Sequence, residues 1–488
     1  MVKLLPREVE SGLSVADNRS FIGLLALLVW APVPIASNRL WAMGILIVVA
    51  VTILASSLWA HRQDISAVLS RLSPFAIPIA CLTAIVLLIW MQTVPLPASW
   101  VASVSPKAAI AQGSSEWMTI SLDVFQTRVL AALSFAYLSV FLASLLLVRT
   151  HERLDRLAQV LVFSAVAQVV FGAILFSLKA DYRIFYVQVS HERMIGTFKY
   201  HNSLAGYLCM CLSIGIGLML ARLGSTSEKH SHWKARVVAA VTFVLSPKMR
   251  LRLYLVVIVI GLVLTRSRMG NSAFFASMVI VGLAAVVLAR KTAPHTIALI
   301  VSLVIVDVLV IGTWVGLEKV VDRIQETEMT IAEGGKSESV EARTEAARMS
   351  VPIVKDFPVF GTGGGSFYNI FMGYRSSTYG SVYFDHTHND YVEIASEYGL
   401  VGLGLFGALV ASTLFTVLRN MARRRSNLPW GISFGVAMSI VALLIHSTVD
   451  FNLQIPSNAL TIVVILAMGW IAKELPSETR RRRSSGKL

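Results

Sequence analysis

The run Leu40-Trp-Ala-Met-Gly-Ile-Leu-Ile-Val-Val-Ala-Val-Thr-Ile-Leu-Ala-Ser-Ser-Leu-Trp-Ala60 carries no charged side chain. Roughly 20 apolar residues in a helix cross the hydrocarbon core of a bilayer, so this stretch reads as a membrane span. Similar runs recur at 20–36, 74–93, 129–148, 158–177, 203–221, 251–265, 272–289, 295–317, 400–418, 430–447 and 459–472. Backbone polar groups in lipid must be satisfied within the segment, which favours helices for such runs. The predicted fold is therefore all-α, a polytopic membrane helix bundle of about twelve transmembrane helices with a large helical extracytoplasmic loop. Along the chain this divides into 1–317 (spans one to nine with short loops), 318–399 (the large loop, forming part of a site) and 400–488 (spans ten to twelve and a basic tail).

Composition agrees. Of 488 residues 55% are hydrophobic and 15% charged, with a mean hydropathy of +0.68, whereas soluble domains carry about a quarter charged residues. A large soluble enzyme, a disordered chain and a collagen-like chain are all excluded. Cys81, Cys209 and Cys211 lie in apolar runs, so no disulfide framework is implied. The polar residues 1–19 lead into a run broken by Pro32 and Pro34, and no cleavable signal peptide is evident.

The net charge of +15 raises the question of a nucleic-acid partner, and its distribution answers it. With the N-terminus in the cytoplasm, lysine and arginine concentrate on that side while the opposite side is slightly acidic, as the positive-inside rule expects. The clusters Arg423-Arg424-Arg425 and Arg480-Arg481-Arg482-Arg483 then read as topology signals. No nucleic acid is expected, both termini are predicted cytoplasmic, and chemistry is sought in the outward segments 94–128, 178–202 and 318–399.

The longest of these is too long for a plain connector. After an acidic opening, Val340, Ala347, Val351 and Val354 form one helical stripe, and Arg343 lies within about 60° of its centre. An arginine on an apolar face must snorkel, pair or bind something. Next comes Gly361-Thr-Gly-Gly-Gly365-Ser. Its four glycines, 361 and 363–365, let backbone N–H groups approach a ligand, although a flexible turn is the commonest explanation of such a run, and without a Lys-Ser/Thr ending this is no nucleotide P-loop. The segment closes on His386-Thr-His388-Asn389-Asp390-Tyr391, with Glu393, Glu397 and Gly399 beyond. As a helix, Asp390, Glu393 and Glu397 share a face, and Gly399 offers a break before the next span. The two histidines suit general-base work or metal binding; a third metal ligand is not clearly placed, so no metal is expected.

Other polar residues fall at the same predicted depth. Arg266 and Arg268 end span seven, Lys199, His201 and Asn202 open span six, and His446 with Asp450 closes span eleven. Arginines on the outward face run against the positive-inside rule and ask for a reason. A lipid-linked diphosphate supplies one, because its tail lies in the bilayer, its charged head sits at the surface, and arginine's planar fork matches a phosphate.

Taken in order, Gly196-Thr-Phe with Asn202, Ser267-Arg268, Arg343, Pro358-Val-Phe-Gly361-Thr-Gly363, His388-Asn389-Asp-Tyr391 with Glu397-Tyr-Gly399-Leu-Val-Gly402, and His446 with Asp450-Phe451 resemble the O-antigen ligase and polymerase superfamily. These are integral membrane glycosyltransferases that act on undecaprenyl-diphosphate-linked glycans. The resemblance implies that Arg268 and Arg343 bind the diphosphate, with Arg266 beside them, and that His388 is the catalytic histidine. It also implies a donor on an undecaprenyl-diphosphate carrier and an acceptor that is a glycan, lipid A-core or, as in related enzymes, a protein. No cofactor is implied, the membrane is the bacterial inner membrane, the site faces the periplasm, and a chain-length regulator is a candidate assembly partner. Met269 departs from the glycine more usual there, and His386 stands beside His388 as an alternative. Polymerase is slightly favoured over ligase. A lipid-linked glycan flippase or transporter is the alternative from another class, with Asp307 as its one midplane candidate, and a non-catalytic scaffold is a third.

Overall fold

The computed structural model describes residues 7–178, 183–184, 187–188, 193–223, 247–288, 340–375, 384–423 and 426–476. Nine helices among them are long and apolar enough to cross a membrane: Leu40–Ala60, Ile65–Met91, Val124–Leu147, His151–Leu178, His201–Arg222, Arg268–Leu288, Asp390–Arg423, Asn427–His446 and Pro456–Glu474. Each covers one predicted span. Of the other three predicted spans, 20–36 falls on the helix Arg7–Trp30, cut short where Pro32 and Pro34 enter, and 251–265 falls on the helix Pro247–Leu264. The third, 295–317 with Asp307, lies outside the described residues, so the fold is a helical membrane bundle with nine spans described.

The chain forms two compact units, each gathered from separate stretches of sequence. The first comprises 1–160, 340–417 and 446–476. Its centre is the helix Val124–Leu147, which packs against Leu40–Ala60, Ala76–Met91, Arg7–Trp30 and Pro456–Glu474. Small residues on its buried faces, Ala131, Ala136, Ser139, Ala143 and Ser144, let neighbouring backbones come close, as membrane helix packing requires. Pro456–Glu474 is buried on every side from Pro456 to Ala472, the pattern of a helix inside a bundle.

One end of this unit carries a polar-backboned layer over a second core. A two-stranded antiparallel ribbon (Leu96–Pro97 with Trp117–Met118) and the short helices Ala98–Val104 and Pro106–Gln112 pack there with Val340–Asp356 and Phe367–Phe371. Val101, Ala108, Met118, Ala346, Met349, Ile353, Phe357, Phe367, Phe371 and Phe384 form its core. The buried stripe of Val340–Asp356 is thus Ala346, Met349, Ser350 and Ile353, while Val351 is exposed. The predicted stripe is corrected by a rotation about the helix axis, because the bulkier Met349 and Ile353 take the core in place of the smaller Ala347 and Val351. Arg343 sits one turn before Ala346 on the true stripe, so its placement on the apolar face stands.

The second unit comprises 161–339, 418–445 and 477–488. Its helices His201–Leu223 and Pro247–Leu264 pack together. Where His201–Leu223 crosses Asn427–His446 the contact is backbone on backbone: a Cβ on Gly431 would stand 2.2 Å from the Gly217 carbonyl oxygen.

Candidate functional site

In the first unit, the turn 384–390 and the turn after His446 are bonded into one structure. Asn389 starts the helix Asp390–Arg423 as its N-cap, its Oδ1 accepting the N–H groups of Tyr391 (3.0 Å) and Val392 (3.1 Å). Its Nδ2 donates to the Thr448 carbonyl at 2.9 Å. Asp390, fully buried, accepts from the Ser447 hydroxyl at 2.6 Å and the Leu453 N–H at 3.3 Å. The Asp390 N–H donates back to the carbonyls of Ser447 and Asp450.

Glu393, one turn further on, is buried and organises the histidine turn. One of its carboxylate oxygens accepts from His386 Nδ1 at 2.6 Å, and the other from the Thr387 N–H at 2.9 Å and the Thr387 hydroxyl at 3.2 Å. His388 follows with φ at 54°, a left-handed backbone that costs a non-glycine residue roughly 1 kcal/mol or more and that clusters at functional sites. That turn puts the His388 imidazole edge-on to Phe451 (5.0 Å between ring centres) and to Phe384 (6.4 Å), while His386 stacks on Phe451 at 4.3 Å.

Arg343 comes to the same place from the helix Val340–Asp356. Its Nη1 lies 3.8 Å from Asp450 Oδ2, and His446 Nε2 lies 3.6 Å from that same oxygen. Asp450 and His446 are each 1% exposed. Arg343 Nε, His388 Nδ1, both ring nitrogens of His446 and Asp450 Oδ2 are buried and find no hydrogen-bond partner among the described residues. Native proteins leave few such atoms, and each asks for an explanation. Five in one cluster mark this as the candidate site.

Their surroundings shift the two histidines in opposite directions. Burial and the Arg343 guanidinium push His388 down to about 4, against the opposing pull of Asp450. Burial also pushes His386 down, but Glu393 at hydrogen-bond distance outweighs it and holds the imidazole above its ordinary value. Burial lifts the Asp450 carboxyl; His446 and Arg343 outweigh that and keep it below the usual carboxylate range. At neutral pH the cluster therefore holds a neutral His388 beside a cationic arginine and a carboxylate.

The glycine loop serves a different purpose. The N–H groups of Gly361, Thr362 and Gly363 donate to the carbonyls of Phe357, Ser396 and Glu397. Gln92 clamps the same place, its Nε2 donating to the carbonyls of Phe360 (2.6 Å) and Glu397 (2.8 Å) and its Oε1 accepting from the Gly364 N–H. The loop amides are thus spent inside the protein, and the glycines are required by close approach: a Cβ on Gly361 would lie 2.3 Å from the Glu397 carbonyl carbon. Glu397 accepts from the Phe367 N–H at 3.2 Å and braces this loop. Gln92, Thr387, Glu393 and Phe451 join the site without having been singled out as site residues in the sequence. Gln92 reads there only as the polar end of a span, and Glu393 lies seven positions from its partner His386.

The remaining candidates lie in the second unit. Ser267 caps the helix Arg268–Leu288, its hydroxyl accepting the Gly270 N–H at 3.2 Å. Arg266 (φ 52°) and Arg268 are exposed on the turn that precedes and opens that helix. The Met194 N–H donates to the Leu264 carbonyl at 3.1 Å, bringing Arg193 and Arg266 to one joint. Arg193 Nη1 lies 3.2 Å from His201 Nε2, Lys199 sits over the Tyr200 ring, and Asn202 is buried. The structure thus groups Arg343, His386, His388, Asn389, Asp390, Tyr391, His446 and Asp450 in one unit, and Lys199, His201, Asn202, Arg266 and Arg268 in the other. No three His, Cys, Asp or Glu residues among those described are placed to hold a metal ion.

Residues 253–407 match a family model described as O-antigen ligase. The matched stretch takes in Arg266, Arg268, Arg343 and the turn from His386 through Glu397, and it upholds the likeness to the O-antigen ligase and polymerase superfamily. No curated protein matches the chain.

Proposed function

Within that superfamily, we propose that this chain is a membrane glycosyltransferase of bacterial surface-polysaccharide synthesis. It moves a glycan from an undecaprenyl-diphosphate carrier to a hydroxyl of a second glycan, as a polymerase does, or of lipid A-core, as a ligase does. The polymerase is the favoured form. The observation that carries the reading is the cluster of Arg343, His388, His446 and Asp450, whose buried polar atoms lack partners at the edge of a bundle of membrane helices.

The acceptor hydroxyl attacks the anomeric carbon of the donor sugar and gives its proton to the His388 ring. The ring is neutral at working pH because burial and Arg343 hold it so. The bond from the anomeric carbon to the phosphate oxygen breaks, and its electron pair leaves with the carrier diphosphate. Arg343 meets that developing charge; a donor already aimed at it stabilises the transition state more than one that must reorganise. Asp450 holds the guanidinium in place. Both termini lie in the cytoplasm, with the site on the periplasmic face of the inner membrane.

The test is complementation of a deletion strain. Arg343→Ala and His388→Ala are expected to reach wild-type membrane levels and to leave long glycan chains unassembled. Wild-type chains in both would overturn the assignment.

A further inference from the structure

The transfer reading uses one histidine, yet the turn presents two, held in opposite ways. Glu393 is buried, and a carboxylate only accepts, so the 2.6 Å contact fixes the proton on His386 Nδ1. The Thr387 N–H and hydroxyl fill the other oxygen of Glu393, which locks the carboxylate and, through it, the imidazole plane. The far edge of the ring, Nε2, is left as the group that can meet a ligand. His388 has no such anchor: its Nδ1 is buried without a partner among the described residues, on a left-handed backbone. Both rings lie against the one phenyl ring of Phe451, so they serve the same small volume.

We propose that His386, held by Glu393, is a hydrogen-bond donor to the donor's diphosphate beside Arg343, and not a second base; this rests on the transfer reading above. The charges facing each ring agree with the assignment. Glu393, Glu397 and Asp385 face His386 and keep its proton on, whereas Arg343 and His386 itself oppose a proton on His388 against Asp450 and Glu393. Paired titratable groups pushed apart in this way divide the roles of proton acceptor and charge partner. In the step, the acceptor's proton goes to His388, and the electron pair of the broken sugar–phosphate bond goes to the phosphate oxygen. His386 keeps its own proton and gives that oxygen a charge-assisted hydrogen bond.

The experiment measures binding of geranyl diphosphate, as a soluble stand-in for the carrier, to the full chain in nanodiscs at pH 6.5 and 8.5. The variants are His386→Gln, His386→Asn, Glu393→Gln, His388→Asn and Arg343→Gln, each first checked by thermal unfolding so that a misfolded form is set aside for its companion. His386→Gln or His386→Asn is expected to weaken binding about tenfold at pH 6.5, the loss of one charge-assisted bond, while His388→Asn binds as wild type or tighter. In wild type, binding weakens as pH rises through the His386 titration. Glu393→Gln removes the carboxylate that holds the proton, so its weakening sets in at lower pH. Wild-type affinity in both His386 variants, with Arg343→Gln still impaired, overturns this inference and leaves the transfer reading standing. Wild-type affinity in every variant, or no binding by wild type, overturns both.

Discussion

Gly399 decides whether the histidine turn and the glycine loop are held together. The helix Asp390–Arg423 breaks there at φ 66° and ψ −172°, a region open essentially to glycine alone. Forcing another residue into it costs about 1–3 kcal/mol. The break lets the Leu400 N–H reach the Pro358 carbonyl at 2.8 Å and the Val401 N–H reach the Val359 carbonyl at 3.3 Å. A Cβ at 399 would stand 2.2 Å from the Val359 carbonyl oxygen and 2.3 Å from its carbon. Both are backbone atoms that no rotamer change can move. Gly399→Ala therefore costs the dihedral penalty and both hydrogen bonds, at about 1 kcal/mol each, or roughly 3–5 kcal/mol in all. Hydrogen exchange followed by mass spectrometry reads this locally: peptides covering 358–361 and 399–402 are expected to exchange at least about a hundredfold faster than in wild type. Gly404→Ala is the control, since nothing lies within 4 Å of its Cβ, and exchange there should be unchanged or slower. Wild-type exchange rates in Gly399→Ala would refute the account of this junction.

Gln92→Leu leaves the Phe360 carbonyl and the Gly364 N–H without their partner and takes from the Glu397 carbonyl one of its two donors, so a loss of about 3 kcal/mol is expected; an unchanged melting temperature would contradict it. Gly431→Ala drives a Cβ into the Gly217 carbonyl, and loss of thermal stability is the expected result. For His388, held at about 4, the sign follows from which state binds the proton. The ring in the folded protein stays neutral until pH falls to about 4, so on the proposed mechanism kcat/KM of transfer keeps its proton acceptor down to there. An acid limb near 6.5 instead would show that the ring is not held neutral by its surroundings.

Much of this was legible in the sequence because membrane spans are long and apolar, and nine of the predicted runs fall on helices that meet that criterion. The break at Gly399 was legible for a similar reason, as a glycine between acidic helical turns and an apolar run. Arg343 was found through a stripe that the structure rotates, since small residues such as Ala347 match a helical period whether or not they bury. The pairing of His446 with Asp450 follows from spacing one turn apart. The bond from His386 to Glu393 does not, because it depends on the left-handed turn at His388 folding the chain back. At the glycine loop the sequence leaves two readings open for a physical reason: close backbone approach to a ligand and close approach to the protein's own helix leave the same glycines. Gln92 makes contacts 268 and 305 positions away, beyond the reach of any local pattern.

On the proposed mechanism His388 accepts the proton in glycan transfer. The most direct measurement is a gel profile of surface and lipid-linked glycans in a deletion strain complemented with wild type or with His388→Ala, with both proteins quantified in the membrane. Long chains restored by wild type and absent with His388→Ala are the predicted result. Single repeat units left behind would mark a polymerase, and full-length chains accumulating on the carrier would mark a ligase. An indistinguishable profile from the two proteins at equal membrane levels would contradict the account.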